Sequence, residues 1–141
     1  MRGWVLAMVV LGLAVWCGGG DEVGGGGGEE AAQEACGAAP AAMSGQPQLP
    51  EGFPTPDGVT YTGEEEAGPS HIVEGYREGS LEDAYEGYKS AFPDAGYTVT
   101  RDEKEADDAE VNFEGGSSTG QVKLRQECSD RTSVNITIRP E

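Results

Sequence analysis

The chain has 141 residues, with 9 Lys and Arg against 26 Asp and Glu, a formal charge of -17 and a pI near 4.2. So large an acidic excess excludes nucleic acid as a partner, because phosphate backbones are held by Lys and Arg clusters that are missing here, and it opposes adsorption to anionic lipid. One histidine and three well-separated cysteines give no zinc-ligand spacing, and no P-loop, dinucleotide fingerprint or G-x-S-x-G motif occurs.

The N-terminus carries Arg2 and then an uninterrupted apolar run, Trp4 to Trp16 (WVLAMVVLGLAVW). This is the plan of a secretory signal over residues 1–16, shorter than the roughly 20 apolar residues of a comfortable transmembrane helix. Its end, Leu13-Ala14-Val15-Trp16-Cys17-Gly18, resembles the lipobox of bacterial lipoproteins, with Trp16 standing where lipoboxes carry a small residue. The resemblance covers the leader alone. It implies cleavage before Cys17, attachment of diacylglycerol and palmitate to that cysteine, and a protein anchored to the membrane through the lipid on Cys17. It places the protein on the extracytoplasmic side of the bacterial cell envelope. Removing the leader takes away Arg2 and no acid, so the mature chain is more acidic still.

Residues 17–48 read as the lipidated cysteine followed by a flexible Gly/Ala-rich tether. Gly18 to Gly20 and Gly24 to Gly28 precede a mixture of Ala, Glu, Gly and Pro with no core-forming pattern. About thirty such residues have a typical end-to-end distance of about 30 Å, enough to lift a domain clear of lipid headgroups. Glu29 to Cys36 contains good helix formers but no apolar stripe to stabilise a helix.

Residues 49–141 are expected to form a single α+β domain. Pro50, Pro54 and Pro56 with Gly52 and Gly58 make an extended lead-in. Val59 to Thr62 and His71 to Tyr76 are strand candidates that pair as a hairpin, with Glu64 to Glu66 in the connection. Ser80 is a natural N-cap, and Leu81, Ala84, Tyr85, Tyr88, Ala91 and Phe92 share one helical face that Pro93 and Gly96 bring to an end. The period then changes to two. Tyr97 to Arg101, Ala109 to Glu114, Gln121 to Glu127 and Ser133 to Arg139 alternate, turning Ala109, Val111, Phe113, Val122, Leu124, Val134, Ile136 and Ile138 inward. The expected fold is a small two-layer sandwich, one amphipathic helix on an antiparallel sheet, in the order β-β-α-β-β-β-β.

With Cys17 lipidated, Cys36 and Cys128 remain as an even pair in an oxidising compartment, which makes a disulfide between them possible; the alternative is a free Cys128 packed as a small apolar residue. His71, the sole histidine, reads as a strand-edge surface residue rather than a catalytic base. The acidic run Asp102 to Glu110 offers Asp102, Glu105, Asp107 and Asp108 as candidate calcium ligands, but it fits a solvated turn as well and lacks the glycine and spacing of an EF-hand loop. Tyrosines 61, 76, 85, 88 and 97 either line a ligand groove or sit at the margins of a small core. No catalytic, cofactor-binding or metal constellation is assigned. The function expected is that of a non-enzymatic, membrane-tethered lipoprotein binding an envelope protein, the alternative being a small-ligand or calcium-binding envelope protein.

Overall fold

The computed structural model describes residues 34–141; the leader, Cys17 and the glycine-rich stretch after it lie outside those residues. The described chain is a small α+β fold with a single antiparallel six-stranded sheet and one helix. Along the chain come β1 (Val59–Ala67), β2 (Ser70–Glu78), α1 (Leu81–Asp94), β3 (Thr98–Lys104), β4 (Asp108–Gly115), β5 (Ser118–Cys128) and β6 (Arg131–Pro140).

Order in space differs from order along the chain: the strands lie β1-β2-β6-β5-β4-β3. The helix explains the difference. After the β1–β2 hairpin it passes over the sheet, touching β3, β4, β5 and β6, and delivers the chain to the far edge as β3. Three successive hairpins then bring the chain back until β6 pairs with β2, Val73 opposite Ile136.

Strands run longer than the alternation alone indicates. Glu64, Glu65 and Glu66, expected in a connection, are the second half of β1, paired with Val73, Ile72 and His71. The acidic turn likewise shrinks, because Asp102 to Lys104 belong to β3 and face Val111 to Ala109. Hairpin pairing recruits these charged residues because the turns lie further out, at Gly68 between β1 and β2 and at residues 105–107 between β3 and β4; β4 and β5 are joined at Gly116-Ser117. The latter two both have positive φ, 60° and 62°, as a two-residue turn of matching twist requires.

The inward residues are those the alternation picks out. Ala109, Val111, Phe113, Val122, Leu124, Val134, Ile136 and Ile138 are all buried, against Leu81, Ala84, Tyr85, Tyr88 and Phe92 of the helix. At the C-terminal end of α1 the core is aromatic. Phe92 stacks on Phe113 with ring centres 4.6 Å apart, and Phe53 from the proline-rich lead-in meets Phe92, Tyr97 and Phe113 edge-on at 5.4 to 5.8 Å. Gly120 makes this possible: a Cβ there would come within 2.7 Å of Cζ of Phe113 and would collide with the carbonyl of Thr137.

Ser80 caps α1 by accepting from the Asp83 amide at 3.1 Å. Pro93 does not end the helix where it stands. The helix runs one residue beyond it, and Tyr97 N–H then bonds to the Phe92 carbonyl around Gly96, whose φ is +85°.

Candidate functional site

Residues 34–58 have no helix or strand, yet they are fastened at many points. Cys36 and Cys128 form a disulfide with Cα atoms 5.1 Å apart, within the span such bonds need. Beside it Ser129 N–H donates to the Glu34 carbonyl at 2.9 Å, and the Arg131 guanidinium donates to the carbonyls of Gly37 and Ala38 at 2.9 and 3.4 Å. Further on, Met43 N–H bonds to the Tyr61 carbonyl on the outer edge of β1, Gln48 N–H bonds to the Glu64 carboxylate, and Phe53 enters the core. Residues 34–48, expected as tether, are thus a strap that wraps the β1 edge.

Gln126 is the polar keystone of the same end. It occupies an inward position in the series Val122, Leu124, Gln126. Its Oε1 accepts the N–H of Leu81, one of the orphan donors at the start of α1, at 2.6 Å; its Nε2 donates to the carbonyls of Cys128 and Arg131 at 2.7 and 3.1 Å. The sequence reading passed over it, although a polar side chain in an inward register is a signal visible without coordinates.

Beneath the helix the face of the sheet is filled, and a hollow of 270 Å³ remains at its end between Leu49, His71 and Ile138. Four of the five tyrosines are buried there, namely Tyr61, Tyr85, Tyr88 and Tyr97, so they form core rather than a groove. Burial pushes the phenols of Tyr61, Tyr88 and Tyr97 up from their ordinary value, while Tyr85 is raised first by its hydrogen bond to Asp102 and then by burial.

The candidate calcium ligands are not brought together. Asp102 turns toward the helix, where it accepts from the Tyr85 hydroxyl and pairs with Lys89 Nζ at 3.0 Å; the Tyr85 bond and then the Lys89 bond hold its carboxyl below the usual range. The turn beyond is closed by Glu105 N–H bonding to the Asp108 carbonyl. Among the described residues no group of three or more His, Cys, Asp or Glu side chains is placed to hold a metal ion.

His71 lies on β2, one strand in from the edge, and is half-buried rather than at the surface. Both ring nitrogens are engaged, Nδ1 with Glu66 at 2.7 Å and Nε2 with Glu64 at 3.1 Å. It fastens the end of the β1–β2 hairpin, and the same Glu64 carboxylate receives the strap.

Among the described residues, no helix or strap crosses the centre of the opposite face of the sheet. Because paired residues share a face, the outward positions of β5 and β6 follow from the register: Thr119 beside Arg139, Gln121 beside Thr137, Lys123 beside Asn135, Arg125 beside Ser133. Three shallow hollows of 310, 370 and 270 Å³ open on this surface. The first includes Gln121 and Thr137, the second Lys123 and Arg125, and the second and third share Ser133 and Asn135. Pro40 of the strap walls the third. On β5 and β6 this face carries Lys123, Arg125 and Arg139, with Arg131 buried at its end; in register beside them stand Glu110 with Lys123, Asp108 with Arg125 and Glu114 with Thr119 on β4, and Glu78 with Arg131 and Glu74 with Asn135 on β2. The first 33 residues hold Arg2 and four acids, which leaves 8 bases against 22 acids over residues 34–141; four of those bases lie on β5 and β6, one of them the buried Arg131. The sequence reading missed this interleaving of charges because it appears only when the strands are laid side by side.

Among the described residues no helix is long and apolar enough to cross a membrane. Comparison with protein-family models, curated proteins and solved structures found no match.

Proposed function

We propose that the chain is a membrane-tethered lipoprotein of the bacterial cell envelope, held by lipid on Cys17, whose small acidic domain acts by binding a protein partner on the open face of its sheet. The observation that carries the reading is that face: hydrogen-bonding side chains of β5 and β6 between flanking charged residues, left uncovered at its centre among the described residues. The alternative route of strand addition has less support. The β1 edge is wrapped by the strap, and the β3 edge ends in Arg101, Asp102, Glu103 and Lys104, charges of the kind that discourage edge pairing. A non-enzymatic role is favoured because His71, the sole histidine, is engaged on both nitrogens by Glu64 and Glu66. A small ligand in one of the hollows is the second reading, supported by their volume. Calcium has no comparable support, with Asp102 committed to Lys89 and Tyr85.

A photo-crosslinking side chain placed at Gln121 in intact cells is expected to capture one dominant envelope protein. A smear of abundant proteins, no different from that given by a probe on the exposed side of α1, rejects the reading. The anchor is tested separately by the intact mass of the protein extracted with detergent: a chain beginning at Cys17 with added acyl mass supports it, and an unmodified Met1 start removes it.

A further inference from the structure

We infer that the hollow at the end of the helix-bearing face binds a small linear amine, with its ammonium at Glu66, a hydroxyl at Ser118 and an apolar body between them. This hollow lies on the other side of the sheet from the open face and is independent of the protein-binding reading. Three observations select that ligand.

The first is the shape of the hollow and its lining. It crosses the ends of β2 and β6, from Glu66 on β1 to Ser118 on β5. Leu49 and Pro50 of the proline-rich lead-in and Ile138 and Pro140 of β6 supply the apolar surface. At about 30 Å³ for each water-sized group, 270 Å³ takes roughly nine non-hydrogen atoms. The slot exists before a ligand arrives. Gln48 N–H is held by the Glu64 carboxylate at 2.8 Å and Phe53 is seated in the core, which fixes the lead-in between them. Filling a preformed slot costs little ordering of the protein.

The second is charge. Glu66 Oε1 meets His71 Nδ1 at 2.7 Å, Glu64 takes the other ring nitrogen, and Glu66 Oε2 has no partner among the described residues. One imidazole faces two carboxylates, so the group is net negative whether His71 is neutral or protonated. Among the described residues no Lys or Arg lines the hollow; Arg139, at the same end of β6, lies on the opposite face and donates to the Ser70 hydroxyl at 2.8 Å. A cation is therefore drawn to Glu66 and an anion is repelled.

The third is an unspent hydroxyl. Ser118 is 7% exposed, lines the hollow and makes no side-chain hydrogen bond among the described residues, although a hydroxyl so buried ordinarily has a partner. A ligand hydroxyl supplies one as donor or acceptor. Three strand spacings of about 4.8 Å across the sheet and two residues of about 3.3 Å along it separate the Glu66 and Ser118 backbones by roughly 16 Å. The Glu66 carboxylate leans toward His71 and shortens that gap, and a molecule about 9 Å long with a hydrogen bond of about 2.8 Å at each end closes it.

The test is a nuclear magnetic resonance titration of the full chain, ¹⁵N-labelled in detergent micelles, with free ligand fixed by dialysis. The probe is tyramine, whose ammonium and phenol hydroxyl stand at opposite ends of the molecule. Amide shifts centred on Leu49, His71, Ser118 and Ile138 are expected, with half-saturation at about a millimolar. Glu66→Gln is expected to weaken tyramine about three- to fivefold and to leave the neutral analogue tyrosol unchanged. Ser118→Ala is expected to weaken tyramine about threefold and to leave phenethylamine, which lacks the hydroxyl, unchanged. The inference is overturned by an absence of shifts at about ten times the expected half-saturation, by shifts scattered over the acidic surface, by equal affinity for tyramine and tyrosol, or by indifference to both substitutions.

Discussion

Two residues hold positions for which no other side chain is suited. Gly120 lies where the Phe113 ring and the Thr137 carbonyl converge, so a methyl group forces both to move. Gly120→Ala is therefore expected to cost about 2 kcal/mol or more, in the range of overpacked cores, and to lower the urea midpoint without changing the slope. An unchanged midpoint would mean that the aromatic stack of Phe92 and Phe113 yields more easily than its close packing indicates. Gln126 is the second case, because one amide serves both an orphan helix donor and two turn carbonyls. Gln126→Glu keeps the acceptor for Leu81 N–H but cannot donate to the carbonyls of Cys128 and Arg131. Gln126→Met keeps the volume and removes both functions. Glutamate should destabilise by about 1–3 kcal/mol through those carbonyls, even though it retains the helix contact. Urea titration of the two variants separates the roles, and equal stability of wild type and glutamate variant would show the donor side to be idle.

At the level of elements, the alternating strands were legible because inward apolar residues recur at Val122, Leu124, Val134, Ile136 and Ile138, and the helix because Ser80 and the stripe from Leu81 to Phe92 agree. Neighbour relations were not, since alternation assigns a face and says nothing of which strand lies alongside. The pairing of β2 with β6 arises from the helix crossover, and with it the approach of Glu74 and Glu78 to Asn135 and Arg131 on the open face. The strap was equally hidden, because it has no periodicity: its order comes from one covalent bond and scattered backbone contacts. The disulfide closes a separation of 92 residues, which the chain-entropy model values at about 4–5 kcal/mol. The measured effect of Cys36→Ser with Cys128→Ser is expected to be smaller, about 2–4 kcal/mol, because Arg131, Met43 and Gln48 still hold the strap. Hydrogen exchange should then speed up at Met43 and Ser129, whose amides bond within the strap contacts, before it does in β5 or β6. Uniform loss of protection across the sheet would instead make the bridge a support of the whole core.

For the whole molecule, acidity and buried phenols act on stability in the same pH range and can be told apart. Tyr61, Tyr88 and Tyr97 have their ionisation pushed up by burial, and Tyr85 by its bond to Asp102 and by burial. A raised folded-state value means that the unfolded chain releases these protons first. The stabilisation is fully present below the unfolded value near 10 and is lost as pH rises through it toward the folded values. The urea midpoint should therefore be nearly level between about pH 7 and 9 and fall above about 10, with tyrosinate absorbance rising together with loss of the far-ultraviolet circular dichroism signal. A chain of charge -17 also repels itself, and that repulsion grows as the lysines lose protons at high pH. Salt distinguishes the two causes. Half-molar sodium chloride shortens the screening length to roughly 4 Å and recovers stability lost to repulsion between surface carboxylates, but it leaves the cost of an ionised phenol inside the core in place. Tyr88→Phe does the reverse, flattening the alkaline limb without altering its response to salt. If salt alone restores the midpoint at pH 11 and the phenylalanine variant tracks wild type, self-repulsion governs the alkaline limit and the four buried tyrosines do not.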